Sequence, residues 1–391
     1  MAGHWCSRLF VSLGALGLLT GCWSSGSANP SPTNSASSQS AAPTTGEPLG
    51  SWRRIADAPI PPAGGMAAAW TGRQLVVWGG LGADGHQSGA DGAAYDPAAD
   101  RWEVLPPAPI AARFGASAVW TGREVLIWGG QGGPGRTFAD GAGYDPASKR
   151  WRVVPAAPVG ARTSHQAVWT GREMVVWGGF GRCCPIDSVI HDPAAAAYDP
   201  ATDQWRRMAD VPPPWSGDDG SAVTMADGER PLVWRQGHLG TYDAATDVWS
   251  DVEGVQPTPL PSAGGPGTTA DPLAVGVVFG DEVFMWTGRS SELRGVAWRA
   301  SDRSWRRTAT LDGQSGASVT AGGPGRIYAA TGQSARVVEY QIAQDRWEEL
   351  PLPPVSTRSA ATLVWTGSEL LFWGGIGDEG PEMDGAIWHC C

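Results

Sequence analysis

The chain predicts an all-β fold, a closed ring of seven repeated four-stranded sheets, on three observations in its 391 residues. The first is an eleven-residue phrase, WTGREVLIWGG at Trp120 to Gly130. It returns at Trp70 to Gly80, at Trp169 to Gly179 and, as WTGSELLFWGG, at Trp365 to Gly375. The second is an aromatic residue followed seven positions later by Trp, in Tyr95/Trp102, Tyr144/Trp151, Tyr198/Trp205, Tyr242/Trp249, Trp298/Trp305 and Tyr340/Trp347. The third is that the two chain ends each carry an incomplete unit.

Each element follows from one of these. In the phrase, two short apolar runs flank Thr-Gly-Arg and the second run stops at a glycine pair, the pattern of a β-hairpin. In the second run Val125 and Ile127 point one way, Leu126 and Trp128 the other, so this strand is covered on both faces. The fixed aromatic-to-Trp spacing makes a second hairpin with an unvarying loop and one aromatic pair per unit. A unit therefore has strands a, b, c and d. Strand a is built of small residues (Met66-Ala67-Ala68-Ala69, Ala116-Ser117-Ala118, Ser359-Ala360-Ala361), which suits strands converging on a crowded axis. At the C-terminus Trp388 in GAIWHCC stands where Tyr144 does in GAGYDPA, and its partner Trp would fall beyond Cys391. At the N-terminus Ser51 to Pro59 reads as an outer strand d with no hairpin before it. That strand is expected to complete the last unit, which removes the free edges of an open array.

The Trp residues of strand d, at 52, 102, 151, 205, 249, 305 and 347, are 50, 49, 54, 44, 56 and 42 residues apart. This averages near the roughly fifty-residue Kelch period. With the glycine pair and the Tyr-Asp of YDPAADRW, the chain resembles a Kelch-repeat β-propeller, of the kind also found in galactose oxidase, over about residues 51 to 391. The resemblance implies a seven-bladed Kelch-type β-propeller, its last blade closed by the N-terminal strand. Blades four, five and six depart from the pattern, with Arg235-Gln236-Gly237, Thr287-Gly288 and Thr331-Gly332 in place of the glycine pair.

Ahead of the ring the chain divides further. Residues 1–21 hold Arg8, an eleven-residue apolar run from Leu9 to Leu19 and the ending Leu-Thr-Gly before Cys22. The run is too short to span a bilayer, which takes about twenty residues, and suits a secretory signal. The ending looks like a bacterial lipobox, which implies lipidation of Cys22 and an extracytoplasmic, membrane-anchored protein. Residues 22–50, rich in Ser, Ala, Pro and Thr, cannot bury enough surface to fold and read as a tether. Removing Arg8 with the signal takes the net charge from −11 to −11 − 1 = −12. An acidic chain of this kind excludes nucleic acid and anionic lipid as preferred partners. Membrane contact is expected through the anchor alone, and a monomer is expected.

For function, the connections d–a and b–c share one face in a four-stranded meander, and that face gathers the candidate ligand-binding residues. Arg113, Arg162 and Arg358 occupy one repeat position just before strand a, and His165 interrupts a small-residue strand. Asp84, His86, Arg136 and Arg182 lie in b–c loops that vary in length. The Arg cluster against an acidic background suits an anionic ligand, a carboxylated sugar or acidic peptide. The reading placed first for the three arginines is nevertheless that each ties its blade to the next. Most of the 22 Trp sit at repeated strand positions, where blade packing explains them. Trp215, in a Pro-rich loop, is the one candidate functional aromatic, with a buried loop anchor as its plainer role.

Five of six tyrosines are committed to strand c, the histidines lack metal-ligand spacing, and no phosphate loop or G-x-S-x-G occurs. Neither a cofactor, a metal nor catalytic residues are expected, and the acidic loops Asp218-Asp219 and Asp378-Glu379 with Glu382 and Asp384 read as solvated. Cys183-Cys184 and Cys390-Cys391 are disulfide candidates. They are expected on opposite faces, too far apart to pair with each other. The function expected is a binding or scaffolding module for a protein or glycan, with a Kelch-type carbohydrate-active enzyme, a sugar mutarotase or oxidase, as the alternative.

Overall fold

The computed structural model describes residues 50–82, 91–133, 136–182, 189–216, 223–228, 230–235, 237–252, 273–289, 292–312, 317–323, 325–331, 335–358 and 361–390. Seven antiparallel four-stranded sheets, each in the order a-b-c-d, make seven blades. Blade 1 is Ala67–Trp70, Leu75–Trp78, Gly92–Asp96 and Arg101–Val104; blade 2 is Ser117–Trp120, Val125–Trp128, Gly141–Asp145 and Arg150–Val154. Blade 3 is Gln166–Trp169, Met174–Trp177, Ala195–Asp199 and Gln204–Met208. Blades 4, 5 and 6 begin with Val223–Asp227, Leu273–Phe279 and Ala317–Gly323. In blade 7, Thr362–Trp365, Glu369–Trp373 and Gly385–Cys390 are followed by Gly50–Arg54, paired from Gly50 with Cys390 to Arg54 with Ala386. The ring is thus closed by the N-terminal strand. That strand ends at Arg54, so Ile55 to Pro59 belong to the connection that follows it. Cys390 lies within strand c of blade 7, one residue further than the expectation of a cysteine pair following that strand.

The core lies between blades rather than within them. Strand b is buried on both faces, as in Leu75–Trp78 and Val125–Trp128, and one interblade cluster joins Val76 and Trp78 to Val125, Ile127 and Tyr144. Burial of this kind contributes roughly 25 cal/mol per Å² of apolar surface. The Thr-Gly-Arg turn is fixed locally. Thr71 Oγ1 accepts from Gln74 N at 2.9 Å, and Gly72 sits at φ 82°, a left-handed position favouring glycine. The glycine pair has a different cause. Gly80 N donates to the Arg113 carbonyl of the next blade at 2.9 Å, and a Cβ on Gly79 would stand 2.5 Å from that oxygen.

The fixed Tyr-to-Trp spacing has two causes. The c–d connection is four residues long in every complete hairpin (97–100, 146–149, 200–203, 244–247, 300–303 and 342–345), and its last residue is left-handed each time, from Asp100 to Asp345. In six blades the strand d Trp then donates Nε1 to a carbonyl of the preceding blade (Trp102 to Ala56, Trp151 to Pro106, Trp205 to Pro155, Trp249 to Ala209, Trp347 to Ala309 and Trp52 to Pro351), whereas Trp305 Nε1 of blade 5 has no hydrogen-bond partner among the described residues. Blade 5 differs, with strands Glu282–Arg289, Glu292–Arg299 and Ser304–Asp312 longer than the repeat phrase predicts. Without the glycine pair the b–c ladder of this blade continues unbroken to Arg289 paired with Glu292. Among the described residues no helix is long and apolar enough to cross a membrane.

Candidate functional site

The two faces of the ring are built to different rules. On the face bearing the a–b and c–d turns, the c–d turns are uniform. On the opposite face the b–c connections run from two residues (236–237) to seventeen (178–194), and the d–a connections from four (313–316) to twenty-one (252–272). Loops of varied length on a constant frame are where binding specificity is placed in repeat scaffolds.

Three of the predicted residues are brought to this face but turned inward. Arg113, Arg162 and Arg358 are 1%, 1% and 2% exposed. Arg113 donates to the Ala111 and Gly129 carbonyls at 2.9 and 3.1 Å, pairs with Asp140 at 2.8 Å and stacks 3.8 Å over Phe138. Arg162 repeats this with Gly160, Gly178, Ala194 and Asp192, and Arg358 with Ser356, Gly374 and Asp384. Each guanidinium thus ties its d–a loop to the start of strand c in its own blade. The backbone makes the link between blades, since the Arg113 and Arg162 carbonyls accept from Gly80 and Gly130 of the preceding blade. Burial lowers the pKa of Arg113 and Arg162, opposed by the facing Asp140 and Asp192. Their charge is matched by carboxylates within the protein.

Blade 4 has no Arg at this position and solves the same problem from the other side. Arg235, at the end of its strand b, donates to the Pro214 and Ser216 carbonyls at 2.7 and 3.1 Å. In that loop Trp215 is 4% exposed and lies over Gly240, whose missing side chain leaves room for the indole. Arg136 is exposed, its guanidinium 5.0 Å from the Phe138 ring centroid. Arg182 ends a short strand, Phe180–Arg182, paired with Val189–His191. Asp84, His86, Cys22, Cys183, Cys184, Cys391 and Asp218-Asp219 lie outside the described residues, as do the signal and tether before residue 50.

His165 is the most unusual of the predicted set. It is 8% exposed, meets the Trp128 indole edge-on at 4.8 Å, and places Nε2 at 2.7 Å from Ser117 Oγ in blade 2. Its Nδ1 is buried without a hydrogen-bond partner among the described residues. Burial, with Arg162 nearby, lowers its pKa from 6.5 to about 3, so the ring is neutral at physiological pH. Ser117 directs its own proton to the Trp128 carbonyl at 3.4 Å. The tautomer consistent with this network carries the proton on Nε2 and donates to Ser117, leaving only a lone pair unmatched at Nδ1.

Sequence reasoning missed the neighbours of His165. In register, Ala63-Gly64-Gly65-Met66-Ala67, Arg113-Phe114-Gly115-Ala116-Ser117 and Arg162-Thr163-Ser164-His165-Gln166 occupy the same rim in blades 1, 2 and 3. Gly65 and Gly115 are left-handed at φ 65° and 63°, and Ser164 holds φ 53° at the same place. A non-glycine there is strained by about 1 kcal/mol. The signal available in the sequence was that aligned Gly, Gly, Ser column.

The turn face carries a second repeated network. Tyr198 donates to Asp203 in blade 3, and Arg152 of blade 2 donates to that hydroxyl at 2.7 Å while pairing with Glu124. Arg206 with Tyr242 and Asp247, Arg306 with Tyr340 and Asp345, and Arg53 with Asp100 and Tyr95 repeat it. Between blades 1 and 2 the charges are reversed, with Glu103 facing Lys149. Burial and the hydrogen-bonded Asp raise the Tyr198 and Tyr95 hydroxyls well above their ordinary value. These tyrosines are held as protonated donors that clasp blades.

A family model described as the KLHDC2/KLHL20/DRC7 Kelch-repeats domain matches residues 65–288, more than half of the chain. Among solved structures, "Structure of YjhT" is 16% identical with TM-score 0.51, covering 85% of this chain and 96% of that one. "Novel fungal alcohol oxidase with catalytic diversity among the AA5 family, in complex with copper" is 15% identical with TM-score 0.64, covering 88% and 76%. At these identities the likeness is one of fold. No curated protein sequence matches significantly. Among the described residues no three His, Cys, Asp or Glu side chains converge as a metal site.

Proposed function

The chain belongs to the KLHDC2/KLHL20/DRC7 Kelch-repeats domain family, and from that premise we propose that it is an extracytoplasmic, lipid-anchored binding module. It recognises a protein or glycan through the face bearing the d–a and b–c loops. One observation carries the reading: connections on that face range from two to twenty-one residues, while all complete c–d connections on the other are four. Selection for the ring alone would leave both faces equally regular.

The anchor rests on the Leu-Thr-Gly-Cys22 ending, and the position of residue 50 agrees with it. Strand Gly50–Arg54 starts at the turn face, beside the C-terminal end of Gly385–Cys390, so a tether attached at Gly50 leaves from the face opposite the variable loops. The loops then point away from the anchored surface. Cys22→Ala is expected to move the protein from the membrane fraction to the soluble fraction; retention on membranes after a carbonate wash would refute the anchor. For the binding module, saturable binding without turnover in a glycan and cell-envelope peptide screen supports the proposal. Product formation seen by NMR would instead favour a carbohydrate-active enzyme, the reading to which the fold likeness to an alcohol oxidase lends support.

A further inference from the structure

We propose that the turn face of blades 1, 2 and 3 docks on the anionic headgroups of the membrane that holds the lipid anchor, through the guanidinium groups of Arg73, Arg123 and Arg172. The proposal rests on the anchor reading and gives the tethered ring a fixed side toward the lipid.

The three arginines occupy one repeat position, the last of the Thr-Gly-Arg turn between strands a and b. The turn itself does not need them. Blade 7 makes the same turn with Ser368, where Thr366 Oγ1 accepts from Glu369 N at 3.0 Å and Gly367 sits at φ 106°. Each Arg reaches only a loose pair with the Asp that ends strand c of its own blade, at 3.4 Å to Asp96, 3.9 Å to Asp145 and 3.6 Å to Asp199. Pairs with so exposed a partner add little to stability, so the fold gives no reason for Arg here.

Exposure separates the two signs of charge. The Arg side chains are 81%, 87% and 69% exposed, and the carboxylates facing them 14%, 23% and 13%. Those carboxylates are recessed because each caps its own c–d turn, accepting from the backbone N of Ala98, Ala147 and Ala201. The more exposed carboxylates of these blades, Asp100, Glu103 and Asp203, are held by Arg53, Lys149 and Arg152. A flat surface laid against this sector therefore meets guanidinium first. Blades 4 and 5 place Asp227 and Asp281 at the corresponding turn, so the cationic sector is confined to one side of the ring.

Two features name the occupant. The tether joins at Gly50, on the turn face of blade 7, and blade 7 packs against blade 1, so the arginines begin beside the attachment point. A bilayer also spreads its negative charge over a plane and needs no shaped pocket, which suits separate projecting guanidiniums. The net charge of the whole chain disfavours an anionic surface, but at physiological ionic strength charges beyond about 8 Å are largely screened, and the lipid responds to the sector nearest it.

The mature chain, residues 22–391, would carry Cys22→Ala so that no acyl chain contributes, and its sedimentation with phosphatidylglycerol/phosphatidylcholine vesicles would be compared with that on phosphatidylcholine alone. Preference for the anionic vesicles is expected, lost at high salt and weakened at least tenfold when Arg73, Arg123 and Arg172 are all changed to Gln, with the melting temperature unchanged. The matched control changes Arg230, Arg299 and Arg346 of blades 4 to 6 to Gln and should keep the binding. Equal binding by the two triple variants, or no preference for anionic vesicles, overturns the docking and leaves the anchor standing. Binding to soluble polyphosphate with none to vesicles overturns the lipid surface as the partner. The anchor is tested apart from this by fractionation, and lipid-competent wild type found in the soluble fraction overturns it together with the docking.

Discussion

At the scale of the residue, His165 makes a pH prediction whose sign is fixed by its burial. Its pKa is about 3 when folded and near 6.5 when exposed, so as pH falls below 6.5 the unfolded chain takes up a proton that the native state refuses. The stability from this group is complete above pH 6.5 and is lost progressively toward pH 3. Between pH 7 and pH 5 the loss should be about 2 kcal/mol. His165→Met, which restores the residue type of blade 1, should remove it. Urea midpoints at the two pH values for both proteins measure the difference, and equal pH slopes would count against the burial. Arg113 offers a second residue-scale case. Arg113→Ala leaves the Ala111, Gly129 and Asp140 carbonyls without their donor, and the expected destabilisation is about 2 kcal/mol, because unmade hydrogen bonds at part-buried acceptors cost more than the loss of the pair with the half-exposed Asp140. A denaturation curve shifted by less than a few tenths of a kcal/mol would release Arg113 from its structural part.

At the scale of the element, blade joins are where the repeat is tested. The join between blades 1 and 2 uses Glu103 and Lys149 where its neighbours use Arg with Asp, and both side chains are about half exposed. Glu103→Arg or Lys149→Asp alone should destabilise by about 0.5 kcal/mol, and the double variant should recover most of it, since exposed pairs are worth about 0.2–1 kcal/mol. A thermodynamic cycle that shows no coupling would reduce the pair to a surface coincidence. The indole clamps are stronger. Trp205→Phe keeps the ring in place but leaves the Pro155 carbonyl without its donor, at about 1 kcal/mol. The same substitution at each clamp should therefore give a similar shift around the ring.

At the scale of the whole molecule, closure by the N-terminal strand is the feature on which the others depend. Gly50–Arg54 supplies the fourth strand of blade 7, the Trp52 bond to Pro351 and the Arg53 pair with Asp100, so it joins blade 7 to both neighbours. Deleting residues 51–59 should lower the melting temperature by many degrees, and deleting 25–45 should leave it unchanged. Equal melting temperatures for the two deletions would contradict closure.

Much of this was legible in the sequence, and the reason is local. Short continuous apolar runs, a turn that demands Gly72 and a hairpin loop of constant length act over about ten residues, so the strands, the seven blades and the closing strand could be read from spacing alone. The two half-units at the chain ends fixed closure for the same reason. The fate of the candidate side chains was decided only in three dimensions. Arg113 meets Gly129 and Asp140 across a loop, Trp215 finds its space over Gly240, and Ser164 is strained only because Gly115 and Arg162 beside it fix the backbone. Whether a guanidinium faces solvent or a carbonyl depends on partners brought together by the ring, and no local pattern in the chain carries that information.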